Sequence, residues 1–366
     1  MKALIASSAT GGHLYPALAV AERIKRRDGG ARILFVGARY EIGKDIVGAA
    51  GFEQTAIDVT GFDRRRPLRN VETARNLIRS GAQIRGIFGA FQPDVVFGTG
   101  GYVCGPVIRE AKKAGIPAYI QEQNVIPGLA NKMAEKYADK VFLAFEASAG
   151  HFRGKGKLLI TGNPIRDAFL TAGQADCRAK LGIADGDTAL LIFGGSQGAD
   201  AINKAAMDVA LRFGGREGFH IFFLTGKDLY RQTCEGLARL FAERPAGVHV
   251  MGYTDTIHEY FAAADLIVAR SGALTVSEIA VSGKASVLIP SPNVTNNHQY
   301  FNAKVLADAG AAIILNEADA AGLSDVIEEL TADRARLSEM GENARKVARP
   351  DAADVIIDEI YGRKQA

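Results

Sequence analysis

The sequence is poor in cysteine, and its few cysteines are scattered. The 366 residues include three, Cys104, Cys177 and Cys234, and no two of them form a Cys-x-x-Cys pair. This spacing argues against a disulfide framework and against a zinc site, because both need paired or clustered cysteines. The pattern is typical of a protein in a reducing cytoplasm.

Long hydrophobic runs are also absent. No stretch approaches the roughly 18 consecutive apolar residues of a membrane-spanning helix. Near the start, Lys2 precedes apolar residues, but the polar segment 7–13 interrupts them, so we predict no secretory signal. The net charge is only +3. Any basic surface must therefore be local, and we expect no nucleic-acid partner.

Short apolar runs alternate with helical patterns along the chain. The runs are continuously apolar, which is typical of strands covered by helices on both faces of a parallel sheet. They fall at 3–7, 32–37, 54–59, 94–100, 117–122 and 140–145, and then, after the segment KLLITGNP (157–164), at 189–195, 220–226, 248–253, 266–271, 286–290 and 311–317. This alternation predicts a doubly wound α/β architecture.

The pattern starts twice. The segments LIASSATGGH (4–13) and LLIFGGSQGA (190–199) each suggest a first strand, a glycine turn and the start of a helix. We therefore predict two Rossmann-like domains with parallel sheets, at 1–163 and 164–349, which suits a length of about two domains. Ligands in such sheets bind beyond the carboxyl ends of the strands, so we expect the two domains to face a shared cleft.

The tail from about residue 322 has a helical pattern only. Pro350 should break it into two helices, because proline removes a backbone donor inside a helix. The last helix, at about 350–366, is expected to pack back on the first domain.

Three glycine-rich segments follow predicted strands. They are ATGGH (9–13), GTGGYVCGP (98–106) and FGGSQGA (193–199). Glycine lets the backbone approach a phosphate, and a following helix N-terminus supplies N–H donors. None of the three matches the GxGxxG dinucleotide pattern or the GxxxxGK[ST] loop of ATPases. Any one alone could be a tight turn, but three at equivalent strand ends favour anion binding.

An Asp-x-Asp motif raises the alternative of a metal-dependent nucleotide-sugar site. Asp185 and Asp187 flank Gly186 just before the first predicted strand of the second domain. This position is at the amino end of the sheet, opposite the ligand face, and a glycine between two aspartates favours a turn. We predict a turn here and no bound metal.

Two polar segments of the second domain suit a nucleotide sugar. In ARSGALTVSEIA (269–280), Ser271 is expected to cap a helix. Glu278 lies about two turns further on the same helix face, where a carboxylate can accept two hydrogen bonds from a ribose diol. The alternative is a solvated helix glutamate. The loop SPNVTNNHQYFNA (291–303) offers uncharged donors and acceptors for sugar hydroxyls.

A local basic segment lies at 61–93. Its seven arginines oppose two acidic residues, a balance of 7 − 2 = +5, and apolar residues lie between them. This pattern suits an anionic membrane surface, where about 1 kcal/mol per basic residue gives reversible attachment. The alternative is a crossover helix with a solvated arginine face. The arginines assigned to the membrane are Arg64, Arg65, Arg66, Arg69, Arg75 and Arg79.

The motifs taken together resemble those of a known family. TGGH, GTGGYVCGP, QEQN (121–124), TGNPIR (161–166), GGSQGA, RSGALTVSE and NNHQYFNA resemble, in this order, the bacterial MurG family of UDP-N-acetylglucosamine–lipid I N-acetylglucosaminyltransferases. The resemblance implies the GT-B fold, inverting transfer of GlcNAc from UDP-GlcNAc to lipid I, and no cofactor. It also implies a peripheral location at the cytoplasmic face of the bacterial cell membrane, with anionic lipids and other cell-wall synthesis proteins as partners.

The resemblance further assigns residues to the two substrates. Donor contacts are expected from Thr10, Gly11, Gly12, Asn124, Arg166, Gly195, Ser196, Gln197, Tyr253, Thr254, Ala273, Leu274, Thr275, Glu278 and Gln299. Acceptor contacts at the pyrophosphate are expected from Thr99, Gly100, Gly101 and Tyr102. His298 occupies a position that is often glutamine in the family.

Such a transfer needs a base for the attacking hydroxyl. His13 is the first candidate, because an ordinary imidazole titrates near pH about 6.5. Glu122, at a predicted strand end, is the rival, and His13 could instead bind phosphate or cap the loop. Two other functions stay open: a UDP-GlcNAc 2-epimerase or another GT-B enzyme with the same donor, and a non-catalytic nucleotide-sugar sensor.

Overall fold

The computed structural model describes residues 1–39, 46–59 and 70–365, apart from the side chains of 70–78 and 363–365. The chain forms two compact units. The first comprises Met1–Arg166 and Pro350–Ala366, and the second comprises Asp167–Arg349. The first unit thus runs to Arg166 rather than to residue 163, and it includes the C-terminal segment.

A seven-stranded parallel sheet forms the centre of the first unit, within the residues described. Its strands are β1 (Lys2–Ser7), β2 (Arg32–Ala38), β3 (Glu53–Ile57), β4 (Val95–Gly100), β5 (Ala118–Glu122), β6 (Lys140–Leu143) and β7 (Leu158–Ile160). The spatial order is β3-β2-β1-β4-β5-β6-β7, and Leu4 of β1 pairs with Leu34 of β2 and with Val96 of β4. The strand order reverses between β1 and β4, which is where ligands bind in open α/β sheets.

Helices cover both faces of this sheet because its strands are apolar on both sides. They are α1 (Gly11–Arg27), α2 (Ile46–Ala49), α3 (Asn70–Phe91), α4 (Cys104–Lys113) and α5 (Leu129–Ala134). Ile84 of α3 and Val107 of α4 pack with Leu4 in one core cluster. Leu14 and Leu18 of α1 pack with Ile5 in a second cluster on the other face.

The second unit, all of whose residues are described, has a six-stranded parallel sheet of order β10-β9-β8-β11-β12-β13. Its strands are β8 (Thr188–Phe193), β9 (Phe219–Leu224), β10 (Val248–Met251), β11 (Leu266–Ala269), β12 (Ala285–Leu288) and β13 (Ala312–Ile314). Its helices are α6 (Asp167–Thr171), α7 (Gln174–Lys180), α8 (Asp200–Phe213), α9 (Tyr230–Leu240), α10 (Ile257–Ala263), α11 (Ala273–Ser282), α12 (His298–Asp308), α13 (Leu323–Ala332) and α14 (Arg334–Val347). The two parallel sheets with flanking helices confirm the predicted α/β fold.

The C-terminal tail forms three helices, not the two predicted. Asp333 ends α13, and its side chain accepts a hydrogen bond from the backbone N–H of Arg336 at 2.9 Å, which caps α14. The last helix, α15 (Ala352–Gln365), follows Pro350. Its Ile356 and Ile360 pack in the α1 face of the first unit's core.

The basic segment is partly a crossover helix. Ile84, Phe88 and Phe91 of α3 are buried against the sheet, as expected for the alternative of a crossover helix. Arg85 forms an ion pair with the buried Glu110 at 3.0 Å. Arg79 is exposed. Arg64, Arg65, Arg66 and Arg69 lie outside the described residues, as does the side chain of Arg75. No helix in the described part of the chain is long and apolar enough to span a membrane.

The Asp-x-Asp motif forms the predicted turn. Gly186 has φ +90° in the connection that precedes β8. Asp187 accepts a hydrogen bond from the backbone N–H of Ala184 at 3.1 Å, and its Oδ2 lies 2.9 Å from Nε2 of His220. The hydrogen bond from His220 lowers the pKa of the Asp187 carboxyl. The aspartate therefore stabilises a loop at the amino end of the sheet.

Candidate active site

His13 lies in the first turn of α1, at the carboxyl end of the first unit's sheet. Its Nδ1 lies 2.9 Å from the main-chain oxygen of Thr99 in β4 and 3.0 Å from Oε1 of Gln123, which follows β5. The ring is half-buried. The ends of three strands, β1, β4 and β5, thus meet at one imidazole whose Nδ1 is already bound.

Two glycines make this approach possible. Gly100 has φ +115°, and a Cβ on it would lie 2.8 Å from Cε1 of His13 and 2.9 Å from Nδ1. Gly101 has φ +80°, and a Cβ there would lie 2.5 Å from Cβ of Ser8. Side chains at these positions would clash and would adopt a conformation that L-residues avoid. The loop after β4 therefore needs glycine so that it can pack against the loop after β1.

Three buried amides continue from His13, and their contacts with one another were not predicted. Nε2 of Gln123 donates to Oε1 of Gln121, and Nε2 of Gln121 donates to Oδ1 of Asn163 at 2.9 Å. The exposed fractions of Gln121, Gln123 and Asn163 are 0%, 1% and 2%. Two glutamines at alternate positions near the end of an apolar run were the only available signal.

Glu122, the rival base, is held as a hydrogen-bond acceptor. It is 1% exposed. Its carboxylate accepts from the backbone and the side chain of Asn124 at 2.9 and 3.2 Å. It also accepts from the backbone of Gly128 at 3.2 Å and from Nδ2 of Asn131 at 2.9 Å. Four donors occupy this carboxylate, which fixes the loop after β5.

The other predicted residues of the first unit surround this point. Thr10, Gly12 and Tyr102 are exposed, Gly11 and Asn124 are half-buried, and the guanidinium of Arg166 lies 4.8 Å from the ring centroid of Tyr15. Thr99 differs, because it is fully buried. Its side chain is out of reach of a ligand, and its main-chain oxygen is bound to His13.

In the second unit, the loop Gly194–Gly198 connects β8 to α8. Gly195, Ser196 and Gln197 are exposed. A Cβ on Gly198 would lie 2.2 Å from the main-chain oxygen of Thr225, so the loop packs closely on the end of β9.

Lys227 brings a cation to this loop and was not predicted. Its backbone N–H donates to the main-chain oxygen of Ser196 at 3.1 Å. Its ammonium lies 4.1 Å from the ring centroid of Tyr253, a residue predicted to contact uracil. Lys227 thus links the predicted diphosphate and base positions. Asp200 opposes this charge in the first turn of α8, where it pairs with Lys204 at 2.7 Å.

The start of α11 corrects one prediction. Gly272, not Ser271, is the N-cap residue, and Oγ of the fully buried Ser271 has no hydrogen-bond partner in the structure described. Ala273 and Leu274 are buried, whereas Thr254, Thr275 and Glu278 are half-buried. A ligand at this helix start would therefore meet the half-buried Gly272, Thr275 and Glu278, because Ala273 and Leu274 are covered.

The polar loop before α12 is shaped by side-chain contacts. Oε1 of Gln299 accepts from the backbone N–H of Ser291 at 2.8 Å. Asn296 and Asn297 have positive φ values of 56° and 51°. Nδ1 of His298 lies 2.9 Å from the main-chain oxygen of Thr295, so His298 contributes to the turn. Among the described residues, no three His, Cys, Asp or Glu side chains cluster as a metal site would require.

Family models and known proteins match the chain over almost its whole length. The glycosyltransferase family 28 N-terminal domain matches residues 4–143, and the family 28 C-terminal domain matches residues 189–356. A relative from Desulforamulus reducens is 37% identical over 372 residues, 100% of both chains. It is named UDP-N-acetylglucosamine–N-acetylmuramyl-(pentapeptide) pyrophosphoryl-undecaprenol N-acetylglucosamine transferase.

Solved structures match as well. The crystal structure of MurG from Acinetobacter baumannii aligns with a TM-score of 0.77 and 28% identity over 99% of both chains. The UDP-GlcNAc 2-epimerase from Neisseria meningitidis aligns with a TM-score of 0.70 over 99% of this chain and 100% of that one. Its identity of 12% makes this a likeness of fold alone.

The paired parallel sheets and their glycine loops define a glycosyltransferase of the GT-B fold, from family 28. Within that class, the chain belongs to the MurG family of N-acetylglucosaminyltransferases.

Replacing Gly100 by alanine should displace the His13 imidazole, because the new Cβ would lie 2.8 Å from Cε1. The positive φ adds backbone strain of about 1–3 kcal/mol. We expect Gly100→Ala to lower kcat by roughly tenfold or more, which is part of the roughly 10²–10⁴-fold that a positioned acid or base contributes. Gly105→Ala is the matched control, since a Cβ there meets nothing within 4 Å. Equal turnover by the two variants, measured as UDP release, would contradict this role of Gly100.

Proposed function

We propose that the chain transfers GlcNAc from UDP-GlcNAc to the 4-hydroxyl of MurNAc in lipid I, undecaprenyl-pyrophosphoryl-MurNAc-pentapeptide. The anomeric carbon is inverted, UDP leaves, and lipid II is formed for peptidoglycan synthesis. The name of the relative that is 37% identical over the whole length supports this donor and acceptor. The observation that carries the proposal is the anchored imidazole of His13 where the first sheet reverses its strand order.

His13 is the general base in this proposal. Two oxygen acceptors face its Nδ1, so Nε2 is the nitrogen left to take a proton. The MurNAc oxygen bonds to the anomeric carbon while its proton passes to Nε2. The bond from that carbon to the UDP oxygen breaks, and the electron pair leaves with UDP. Such base assistance contributes roughly 10²–10⁴-fold to a rate.

Glu122 has a supporting role here. Its carboxylate already accepts four hydrogen bonds and is buried, so neither oxygen is open to an acceptor hydroxyl. We assign it to holding Asn124 in place, and we assign Asn124, with Thr10, Gly11 and Gly12, to the donor sugar.

The loop Gly194–Gly198 is proposed to bind the diphosphate of the donor. Exposed backbone N–H groups at a helix N-terminus bind anions, and they stabilise the charge that develops on a leaving diphosphate. Ser196 and Gln197 add polar side chains. Lys227, whose backbone N–H is bonded to the same loop, adds a positively charged side chain beside Tyr253. The carboxylate of Asp200 is paired with Lys204. We assign no metal to this step, and UDP-GlcNAc is a substrate rather than a cofactor.

The remaining donor contacts are assigned to residues of the second unit and to Arg166 of the first unit. The backbone at Tyr253–Thr254 is assigned to the uracil edge, and the segment Ala273–Thr275 is assigned to the nucleotide. Glu278 is assigned to the ribose and Arg166, in the first unit, to the nucleotide. Gln299 is assigned to the GlcNAc hydroxyls, because its bound Oε1 leaves Nε2 as the donating end.

The acceptor pyrophosphate is assigned to the loop after β4. Gly100 and Gly101 bring the backbone close to this surface, and Tyr102 beside them is 52% exposed. Thr99 is assigned to positioning His13 instead of to direct contact, since its side chain is fully buried.

A lipid-linked acceptor places the reaction at the cytoplasmic face of the bacterial membrane, where we propose peripheral attachment to anionic lipids. The assigned surface is the first half of the basic segment, Arg64, Arg65, Arg66, Arg69, Arg75 and Arg79. The second half of α3 is excluded, because its apolar side chains belong to the core. Other cell-wall synthesis proteins are natural further partners at that membrane.

The test of function mixes the protein with UDP-GlcNAc, with and without a lipid-linked MurNAc-peptide. We expect UDP release only with acceptor, and a β-1,4-linked disaccharide lipid as product. Epimerisation of the donor without acceptor would contradict this proposal and would indicate a UDP-GlcNAc 2-epimerase. Donor binding without either reaction would favour a nucleotide-sugar sensor.

Replacing Arg64, Arg65, Arg66 and Arg69 by serine should weaken binding to anionic vesicles, because each basic residue contributes about 1 kcal/mol near such a surface. Cosedimentation with phosphatidylglycerol vesicles at two salt concentrations measures the effect. A control variant replaces four exposed basic residues of the second unit, Arg231, Arg239, Lys346 and Arg349. Equal retention by both variants would exclude the segment as the membrane surface.

A further inference from the structure

The side chain of His13 is anchored by uncharged groups. A chain of side-chain hydrogen bonds leads from Nδ1 of His13 to Gln123, from Gln123 to Gln121, and from Gln121 to Asn163, which follows β7. All three amides are at most 2% exposed. Buried amides that form a continuous chain have a defined direction, because each has one donating and one accepting end.

Main-chain oxygens fix that direction at every link. Nε2 of Gln123 donates to the carbonyl of Thr99 at 2.7 Å, Nε2 of Gln121 donates to the carbonyl of Glu122 at 3.2 Å, and Nδ2 of Asn163 donates to the carbonyl of Gln123 at 3.2 Å. A carbonyl can only accept. Turning any of these amides over would place two oxygens against each other, at a cost that buried polar groups avoid.

The oxygen end of Gln123 must therefore face His13, and so must the carbonyl of Thr99. We infer that the chain Gln123–Gln121–Asn163 fixes His13 in the tautomer with its proton on Nδ1, so that Nε2 keeps its lone pair. These three are positioning residues. The inference rests on the proposed function, in which Nε2 takes the proton of the acceptor hydroxyl.

A neutral partner suits this task. A carboxylate opposite Nδ1 would also orient the ring, but its charge would favour the doubly protonated imidazolium, which cannot accept a proton. An amide oxygen selects the tautomer without adding charge. The buried carboxylate nearest in sequence, Glu122, is turned to other donors.

The tautomer can be read directly by ¹⁵N NMR of protein labelled in its six histidines. His13→Asn identifies the His13 signals. We expect a protonated Nδ1 and an unprotonated Nε2 in the neutral ring. In Gln123→Met, which has no acceptor for Nδ1–H at this position, the signals should move toward a mixture of tautomers. Gln54→Met, at an exposed position of β3, is the control and should leave them unchanged.

Kinetics separate this inference from the proposed function. Gln123→Met should lower kcat about tenfold or more, by analogy with the loss of roughly 10⁴-fold when a catalytic histidine is held in the wrong tautomer. KM for UDP-GlcNAc should stay within about twofold of the wild-type value, because Gln123 is not among the proposed donor contacts. Thermal melting checks that the variant folds. A wild-type ring protonated on Nε2, or identical histidine spectra for Gln123→Met and wild type, would overturn the inference and leave the transferase function standing. An Nδ1-protonated ring in a protein that transfers no GlcNAc would overturn the function and keep the tautomer.

Discussion

The candidate site depends on one hydrogen bond, between Nδ1 of His13 and the main-chain oxygen of Thr99. It joins the first turn of α1 to the end of β4, and β4 is itself paired with β1 and β5 on its two sides. Thr99 lies at a register shift of this pairing, between Gly98 and Gly100, which pair with Ala6 and Ser7 of β1. These two flanking pairs position the main-chain oxygen that contacts the imidazole. The glycine at position 100 follows from the same contact, because any Cβ there would meet the ring.

Around this bond, other groups that could exchange protons are kept out of the chemistry. Glu122 is buried and occupied by four donors. Cys104, at the start of α4, is fully buried, and burial raises the pKa of its thiol to about 12, so it stays protonated at neutral pH. The imidazole is half-buried and keeps one nitrogen unanchored. Selective burial, more than charge, thus distinguishes the half-buried imidazole from the buried groups near it.

The fold could be predicted from sequence further than the site could. Each of the twelve apolar runs overlaps a strand, because strands covered on both faces are unbroken apolar segments in the sequence. The short β7 was not among them, because it lies in the mixed segment 157–164. The amide chain could not be predicted, since His13 and Gln123 are 110 residues apart and meet only through strand pairing. Lys227 was missed for the same reason. The sequence left open whether the basic segment is a membrane surface or a crossover helix, because a helix on a sheet and a helix on a bilayer share the same interleaved pattern. The burial of Phe88 and Phe91 in the core shows the crossover helix for this part of the segment.

The proposed role of the anchored His13 imidazole is to take the proton of the acceptor hydroxyl. The most direct measurement is kcat for GlcNAc transfer as a function of pH, between about pH 5 and 9, for the wild type and for His13→Ala. If His13 is the base, wild-type kcat should fall as the pH is lowered, because the protonated ring cannot act as a base. The slope of this fall should correspond to one proton. The kcat of His13→Ala should be lower at neutral pH and should lack this fall at low pH. A folded His13→Ala variant with kcat within a few-fold of wild type and the same pH profile would contradict the role of His13 as the base.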